Sequence, residues 1–184
     1  CIRDRKAMEG DKDCGGMIAC NYYSGEPVTG LEEGRPMFLR RPDSHLGLAN
    51  FMRSHLYASL ATLKIGLDIL LKEEDVKIDS ITGHGGLFKT KGVGQSILAA
   101  AMNAPISVME TAGEGGAWGM ALLAAYMLFK KDGQSLGDYL DSRVFAERKS
   151  ETMEPDLADV AGFETYTKQY QACLAAEKAA VQAF

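Results

Sequence analysis

From Leu48 the apolar residues Leu48, Met52, Leu56, Leu60, Leu63, Leu67 and Leu70 recur every three or four positions, which predicts one long helix with that stripe as its core face. Asp43 or Ser44 is expected to cap its start, and the charged run Lys72-Glu73-Glu74-Asp75 to close it. Ahead of it, Gly16 to Tyr23 has the β-branched and aromatic character of a strand. Pro36 to Arg40 offers a second strand, with the breakers Ser24-Gly25-Glu26-Pro27 and Thr29-Gly30 between the two. Residues 1–15 are charged and glycine-containing and read as a lead-in loop.

Beyond the long helix the pattern alternates. Ile78 to Thr82 predicts a strand, Gly94 to Met102 a helix, Ile106 to Met109 a strand, and Ala117 to Phe129 a helix apolar enough to be buried on most sides. Such alternation implies parallel strands joined by crossover helices, an α/β layer fold, with the two opening strands as an antiparallel hairpin on the same mixed sheet. From 131 to 184 the texture becomes polar and reads as a C-terminal helical extension. It holds a short helix near Leu136 to Phe145 and a terminal helix from Phe163 towards Phe184, whose Phe163, Tyr166, Tyr170 and Leu174 share one packing face.

Composition narrows the class. The chain has 184 residues, 46% of them hydrophobic, which suits a single globular domain with a sizeable core. A formal charge of -5 and no clustered Lys/Arg surface argue against nucleic acid as a partner. No apolar run reaches the roughly 18 to 20 residues of a membrane span, and no basic-then-apolar leader is visible, so a cytoplasmic protein is expected. The four cysteines, Cys1, Cys14, Cys20 and Cys173, lack metal-site spacing and read as reduced thiols. The chain opens on Cys1 rather than methionine, and the expectation is a piece of something longer.

The candidate chemistry lies in two glycine-bearing crossings from strand to helix, Ile81-Thr82-Gly83-His84-Gly85-Gly86-Leu87-Phe88 and Val108-Met109-Glu110-Thr111-Ala112-Gly113-Glu114-Gly115-Gly116-Ala117-Trp118-Gly119. Glycine permits close backbone approach and positive φ, and free N–H groups opening a helix favour anions such as phosphate. In a parallel sheet both crossings fall at the carboxyl ends of strands, on one edge, where ligands bind. Neither G-x-G-x-x-G nor G-x-x-x-x-G-K-[ST] is present.

Taken together, Gly85-Gly86-Leu87-Phe88-Lys89-Thr90 with Gln95, then Ala100-Ala101-Met102-Asn103-Ala104-Pro105-Ile106, then Glu114 and Ala117-Trp118-Gly119-Met120-Ala121, resemble the C-terminal half of the FGGY carbohydrate kinases, xylulokinases and ribulokinases among them. The resemblance extends from about residue 16 to the end. In the long helix, Arg53 resembles the arginine of the family's Arg-Ala-x-x-Glu-Gly stretch, whose Glu-Gly is Tyr57-Ala58 here. His84 stands where the family often has a third glycine, and Phe88 is bulkier than usual beside the glycine pair.

The resemblance implies an actin-like, ribonuclease-H-like ATPase domain. It implies ATP and Mg2+ as cofactors, the Gly85-Gly86 backbone beside the α-phosphate and ribose, and Leu87 and Phe88 flanking the adenosine. It also implies phosphorylation of a sugar hydroxyl, as on a ketopentose such as xylulose or ribulose. The family's catalytic base and most of its sugar contacts come from an N-terminal half that this chain lacks, so the chain alone is expected to be inactive. A non-catalytic interaction or regulatory module of the same fold, or another actin-like ATPase, is the alternative.

Lys89 suits phosphate attraction as well as it suits a solvated loop. Glu110 or Glu114 could meet a magnesium-bound water, although Glu114 is better explained by the helix dipole and capping, and the magnesium ligands stay unassigned. His84 beside glycines reads as a hydrogen-bonded side chain, and Trp118 as core. Asp43, Ser44 and His45 are not taken as a triad, because consecutive residues seldom converge in that geometry. Gly115, Gly116 and Gly119 are read as letting their helix lie close to the sheet. A homodimer is compatible with the sequence.

Overall fold

The computed structural model describes residues 2–110, 112–146 and 150–183; Cys1 and Phe184, at the ends of the expected lead-in and terminal helix, and Thr111 in the second crossing, lie outside them. Among these residues the order is α1 (Ile2–Ala7), β1 (Met17–Cys20), β2 (Met37–Arg40), α2 (Leu48–Lys72), β3 (Ile81–Gly83), α3 (Val93–Met102), β4 (Ile106–Met109), α4 (Gly115–Phe129), α5 (Leu136–Tyr139), β5 (Ser150–Met153) and α6 (Leu157–Ala183).

The α/β class is as expected, with an antiparallel hairpin and a mixed sheet. β3 and β4 run parallel, Ile81 opposite Ile106, and α3 is their crossover. The β1–β2 hairpin, with Met17 opposite Arg40, forms a two-stranded sheet of its own rather than joining β3–β4–β5. Helices close around β1 and bury all four of its residues, and the Tyr166 hydroxyl donates to the Ala19 carbonyl at 3.3 Å. One core joins both sheets, drawing Ile18 and Cys20 from β1, Tyr57 and Leu60 from α2, Ile97 and Leu98 from α3, and Phe163 and Tyr166 from α6.

The long helix starts where the periodicity puts it, but its buried face is shared: of the predicted stripe Leu60 is buried and Leu56 and Leu67 pack on the core, and its other buried residues are polar, aromatic or alanine. Leu48, Leu63 and Leu70 are exposed, whereas Asn50, Arg53, Ser54, Tyr57 and Ala61 are buried. Fully buried Arg53 turns the helix. Its guanidinium donates to the Asp159 carboxylate and, from Nε at 3.1 Å and Nη2 at 2.8 Å, to the Tyr57 hydroxyl. A buried cation tolerates no other orientation, because the desolvation cost of an unpaired charge exceeds what a leucine gains by burial. Neither expected cap is used: Gly47 holds the N-cap position, and Ser44 Oγ instead donates to the Gly16 carbonyl at 2.9 Å.

The lead-in is not a loop. α1 lies on α2, Ala7 is fully buried, and its carbonyl accepts from Arg53 Nη1 at 3.4 Å. The Asp11 amide donates to Asn50 Oδ1 at 2.6 Å, and Asn50 Nδ2 returns a bond of 2.9 Å to Asp11 Oδ2. Local polarity at 1–15 therefore hides a segment whose partners lie some 40 positions downstream.

The C-terminal part is not wholly helical either. β5 adds to β4 antiparallel, Ile106 opposite Met153, and the Ser107 and Thr152 hydroxyls meet at 2.8 Å. α6 begins earlier than the sequence suggests, because Asp156 Oδ1 accepts from the amides of Ala158 and Asp159, each at 3.0 Å. Its stripe of Phe163, Tyr166 and Tyr170 is buried as expected, with the Tyr57 ring 4.5 Å from Phe163 and 5.3 Å from Tyr166.

α4 departs furthest from expectation. None of its residues is buried, and a Cβ on Gly116 or Gly119 would meet nothing within 4 Å, so those glycines do not bring the helix against the sheet. Trp118 is half-buried, with its ring centroid 5.9 Å from that of Phe145. Cys14, Cys20 and Cys173 are free thiols, and burial pushes the Cys20 thiol up to about 12. No helix of the described residues is long and apolar enough to cross a membrane.

Asp159→Ala would strand the Arg53 charge in the core and is expected to cost about 3–5 kcal/mol by urea unfolding. Glu9→Ala, which removes the exposed partner of Lys6, should cost less than about 1 kcal/mol in the same assay. Equal losses would contradict this account of how α2 is oriented.

Candidate functional site

β3 and β4 are adjacent and parallel, so both glycine crossings leave the same carboxyl edge. β3 continues through His84 and Gly85 into a 3-10 turn, Gly86–Lys89, and then α3; β4 continues through Glu110 into a second 3-10 turn, Ala112–Glu114, and then α4. The crossings are bonded to each other. The Gly85 amide donates to the Ala112 carbonyl at 2.7 Å, and Lys89 Nζ lies 2.7 Å from Glu114 Oε1.

The first turn points its side chains inward and its backbone outward. Leu87 and Phe88 are both half-buried against the core. A Cβ on Gly94 would sit 2.8 Å from Leu87 Cγ and closer still to the Leu87 carbonyl oxygen, and one on Gly83 would sit 2.9 Å from Phe88 Cε2. Gly85 has φ 107° and ψ −173°, a conformation open essentially to glycine alone, and a Cβ on Gly85 or Gly86 would meet nothing within 4 Å. The Gly85–Gly86 backbone thus faces open space that no protein atom occupies.

Beside the turn lies a cavity of about 430 Å³ bordered by Phe88, Lys89, Gly92, Gln95, Val108 and Glu110. Gln95 is buried, and its Nε2 donates to the Ile106 carbonyl at 2.7 Å and the Glu151 carbonyl at 2.8 Å, clamping α3 to both β4 and β5. The mouth carries balanced charge: besides Lys89–Glu114, Lys91 Nζ pairs with Glu151 Oε2 at 3.0 Å. Thr90 is buried and donates its hydroxyl to Asp4, so the N-terminal helix braces the turn.

Of the residues singled out in the sequence, Gly85, Gly86, Leu87, Phe88 and Lys89 form one continuous turn, Glu114 faces it, and Glu110 lies at the cavity. His84 is exposed over α4, its Nδ1 3.3 Å from where a Cβ on Gly115 would stand. His45 pairs with Asp11 at 3.1 Å rather than with Ser44, so no triad forms. The roles of Gln95 as a clamp and of Asp4 and Thr90 as a brace were not legible, since each depends on a partner distant in sequence. Among the described residues no group of three His, Cys, Asp or Glu side chains could hold a metal ion.

A family model described as the FGGY family of carbohydrate kinases, C-terminal domain, matches residues 2–128. No curated protein matches the chain. Among solved structures it is similar to xylulose kinase from Rhodospirillum rubrum, with a TM-score of 0.64 and 19% identity over 95% of this chain and 33% of that one. Gluconate kinase from Lactobacillus acidophilus gives a TM-score of 0.69 and 18% identity over 95% of this chain and 34% of that one. Plasmodium falciparum glycerol kinase with ADP gives 0.64 and 16% over 96% of this chain and 33% of that one. The chain spans about a third of the length of each.

Gly94→Ala tests the packing beneath the turn. Replacing a helical glycine by alanine ordinarily stabilises by up to about 1 kcal/mol; against the Leu87 carbonyl the sign should reverse, with a loss of about 1–3 kcal/mol in thermal or denaturant unfolding. A stabilised Gly94→Ala protein would show that Leu87 does not hold the turn against α3.

Proposed function

Because the chain belongs to the FGGY family of carbohydrate kinases, matching its C-terminal domain over residues 2–128, we propose that it is the ATP-binding half of a sugar kinase. Its fold is the actin-like ATPase fold of that family. The full-length protein transfers the γ-phosphoryl group of ATP to a sugar hydroxyl, with a ketopentose such as xylulose or ribulose as the acceptor. The sugar and the catalytic base are held by an N-terminal half, and residues 1–184 alone are inactive.

The observation that carries this reading is the Gly85–Gly86 backbone, with Gly85 at positive φ, beside a cavity of about 430 Å³ and open where a Cβ on either glycine would meet nothing within 4 Å. A nucleotide can approach such a backbone without a side chain in the way. Gly85 and Gly86 are assigned to the phosphate and ribose. Phe88 and Leu87 border the adenosine while anchoring the turn to the core. Lys89, already beside Glu114, exchanges that exposed partner for phosphate at little cost, since such a surface pair is worth about 1 kcal/mol or less.

Phosphoryl transfer depends on positioning and charge stabilisation, and Mg2+ bound to the nucleotide's phosphates supplies part of the latter. The described residues form no metal cage of three ligands, so no step is assigned to the ion here. For the sugar, the support is that the similar structures include a xylulose kinase from Rhodospirillum rubrum and another from Lactobacillus acidophilus. Closure of the two halves excludes water that would otherwise accept the phosphoryl group.

Calorimetry on the full-length protein should detect ATP binding, and Gly86→Val should weaken it at least tenfold with an unchanged melting temperature. Undetectable binding at millimolar ATP, or unchanged affinity in Gly86→Val, would contradict the assignment. A panel of ketopentoses, gluconate and glycerol should give the highest kcat/KM with a ketopentose; a preference for either of the others would overturn the acceptor.

A further inference from the structure

We propose that the outward face of α4 is an interface inside the full-length protein, covered by the polypeptide that stands before Cys1. From Gly115 to Phe129 the helix carries no charged side chain, yet none of its residues is buried. Met120 is 68% exposed, Met127 and Leu128 77% each. Tyr23 and Leu157 are exposed apolar residues that stand singly, which is ordinary for a surface. Met120, Leu123 and Met127 instead stand three and four positions apart on one face of the helix, and an exposed apolar face of that kind marks a surface meant to be covered.

The chain's own cover stops at one flank. Trp118 packs on Phe145, Tyr126 on Tyr139 at 5.5 Å, and the Tyr126 hydroxyl donates to the Gln134 carbonyl at 2.8 Å. Gly116 and Gly119, with nothing within 4 Å of a Cβ, leave the first turns of the patch open to close approach by another backbone.

The occupant follows from length and area. The chain matches over 95% of itself but only 33% of the Rhodospirillum rubrum xylulose kinase, and the matched family domain is the C-terminal one, which puts the unmatched two-thirds on the N-terminal side. α4 starts at the carboxyl edge that carries both crossings, immediately after the Glu114 that pairs with Lys89. The face therefore adjoins the place where a second half must close.

A second copy fits poorly. A helix of 15 residues is roughly 22 Å long and about 10 Å wide, a face of a few hundred Å² at most, against about 800 Å² per partner in a stable association. A covalently tethered partner needs far less area, because it does not lose the free translation of a separate molecule.

This inference rests on reading the chain as the C-terminal part of a two-part kinase, and its test does not use ATP or sugar. In the full-length protein, Met127→Cys should react with a maleimide at least tenfold more slowly than Asp132→Cys, each corrected for the parent protein, and the difference should survive dilution. Equal rates would overturn the proposal. Protection lost on dilution together with dissociation of an oligomer would also overturn it, giving the face to a second copy. If Met127→Cys does not fold, amide exchange across residues 115–129 of the parent, compared between concentrations, reads the same outcomes. Slow labelling in a protein that binds no ATP would leave the interface standing and remove the proposed function; fast labelling in an active kinase would do the reverse.

Discussion

The arrangement of helices depends on one buried charge. Arg53 is fully buried, and removing a guanidinium from water costs several kcal/mol unless its donors are answered. Three segments answer them: Asp159 from α6, the Tyr57 hydroxyl one turn further along α2, and the Ala7 carbonyl at the end of α1. Lys12 adds a second cation 2.8 Å from Asp159. Burial drives the Tyr57 phenol well above its ordinary pKa, so it stays neutral and accepts from Arg53 while donating to the Lys12 carbonyl at 3.1 Å. Moving any of these segments would leave a polar group in the core without a partner.

From that constraint the path to the candidate site is short. Arg53 sets which face of α2 is buried; α1 is held against that face through Ala7, and Asp4 of α1 accepts from Thr90 at the end of the glycine turn. On the other side Gln95 ties α3 to the paired strands β4 and β5. The turn is therefore held beyond its end by Thr90 and through α3, and at its start by the Gly85 amide on the Ala112 carbonyl, while Leu87 and Phe88 pin its middle to the core. What is left uncovered is the space beside Gly85 and Gly86, where a Cβ would meet nothing within 4 Å, and that is the part proposed for the nucleotide.

Where structure follows local pattern, the sequence was informative. Strands β1 to β4, the extent of α2 and the stripe Phe163–Tyr166–Tyr170 were legible because apolar period and breakers are properties of neighbouring residues. The failures share the opposite cause. Of the α2 leucines read as facing the core, Leu48, Leu63 and Leu70 are exposed, since periodicity cannot show that an arginine at position 53 has an aspartate 106 positions away. α1 and β5 look like loop because their partners, Arg53 and Thr90 for one and β4 and Gln95 for the other, are distant. At the site the same division holds: Gly85 through Lys89 could be picked out by type and spacing, whereas the clamp and the brace could not.

The exposed state of α4 and the electrostatics of the cavity belong to one argument. An uncharged helix without buried residues was expected to be core from its composition, and composition reports what a segment needs rather than what one stretch of chain can supply. The candidate site is likewise open: Lys89 and Lys91 sit in exposed ion pairs with glutamates, and under the proposed function the remaining charge stabilisation of phosphoryl transfer falls to Mg2+ on the nucleotide and to the other half. Both deficits lie on the same side, at and beyond the carboxyl edge of β3 and β4. A single partner closing there would bury the helix and complete the site together, which couples the stability of the joined halves to the geometry needed for transfer.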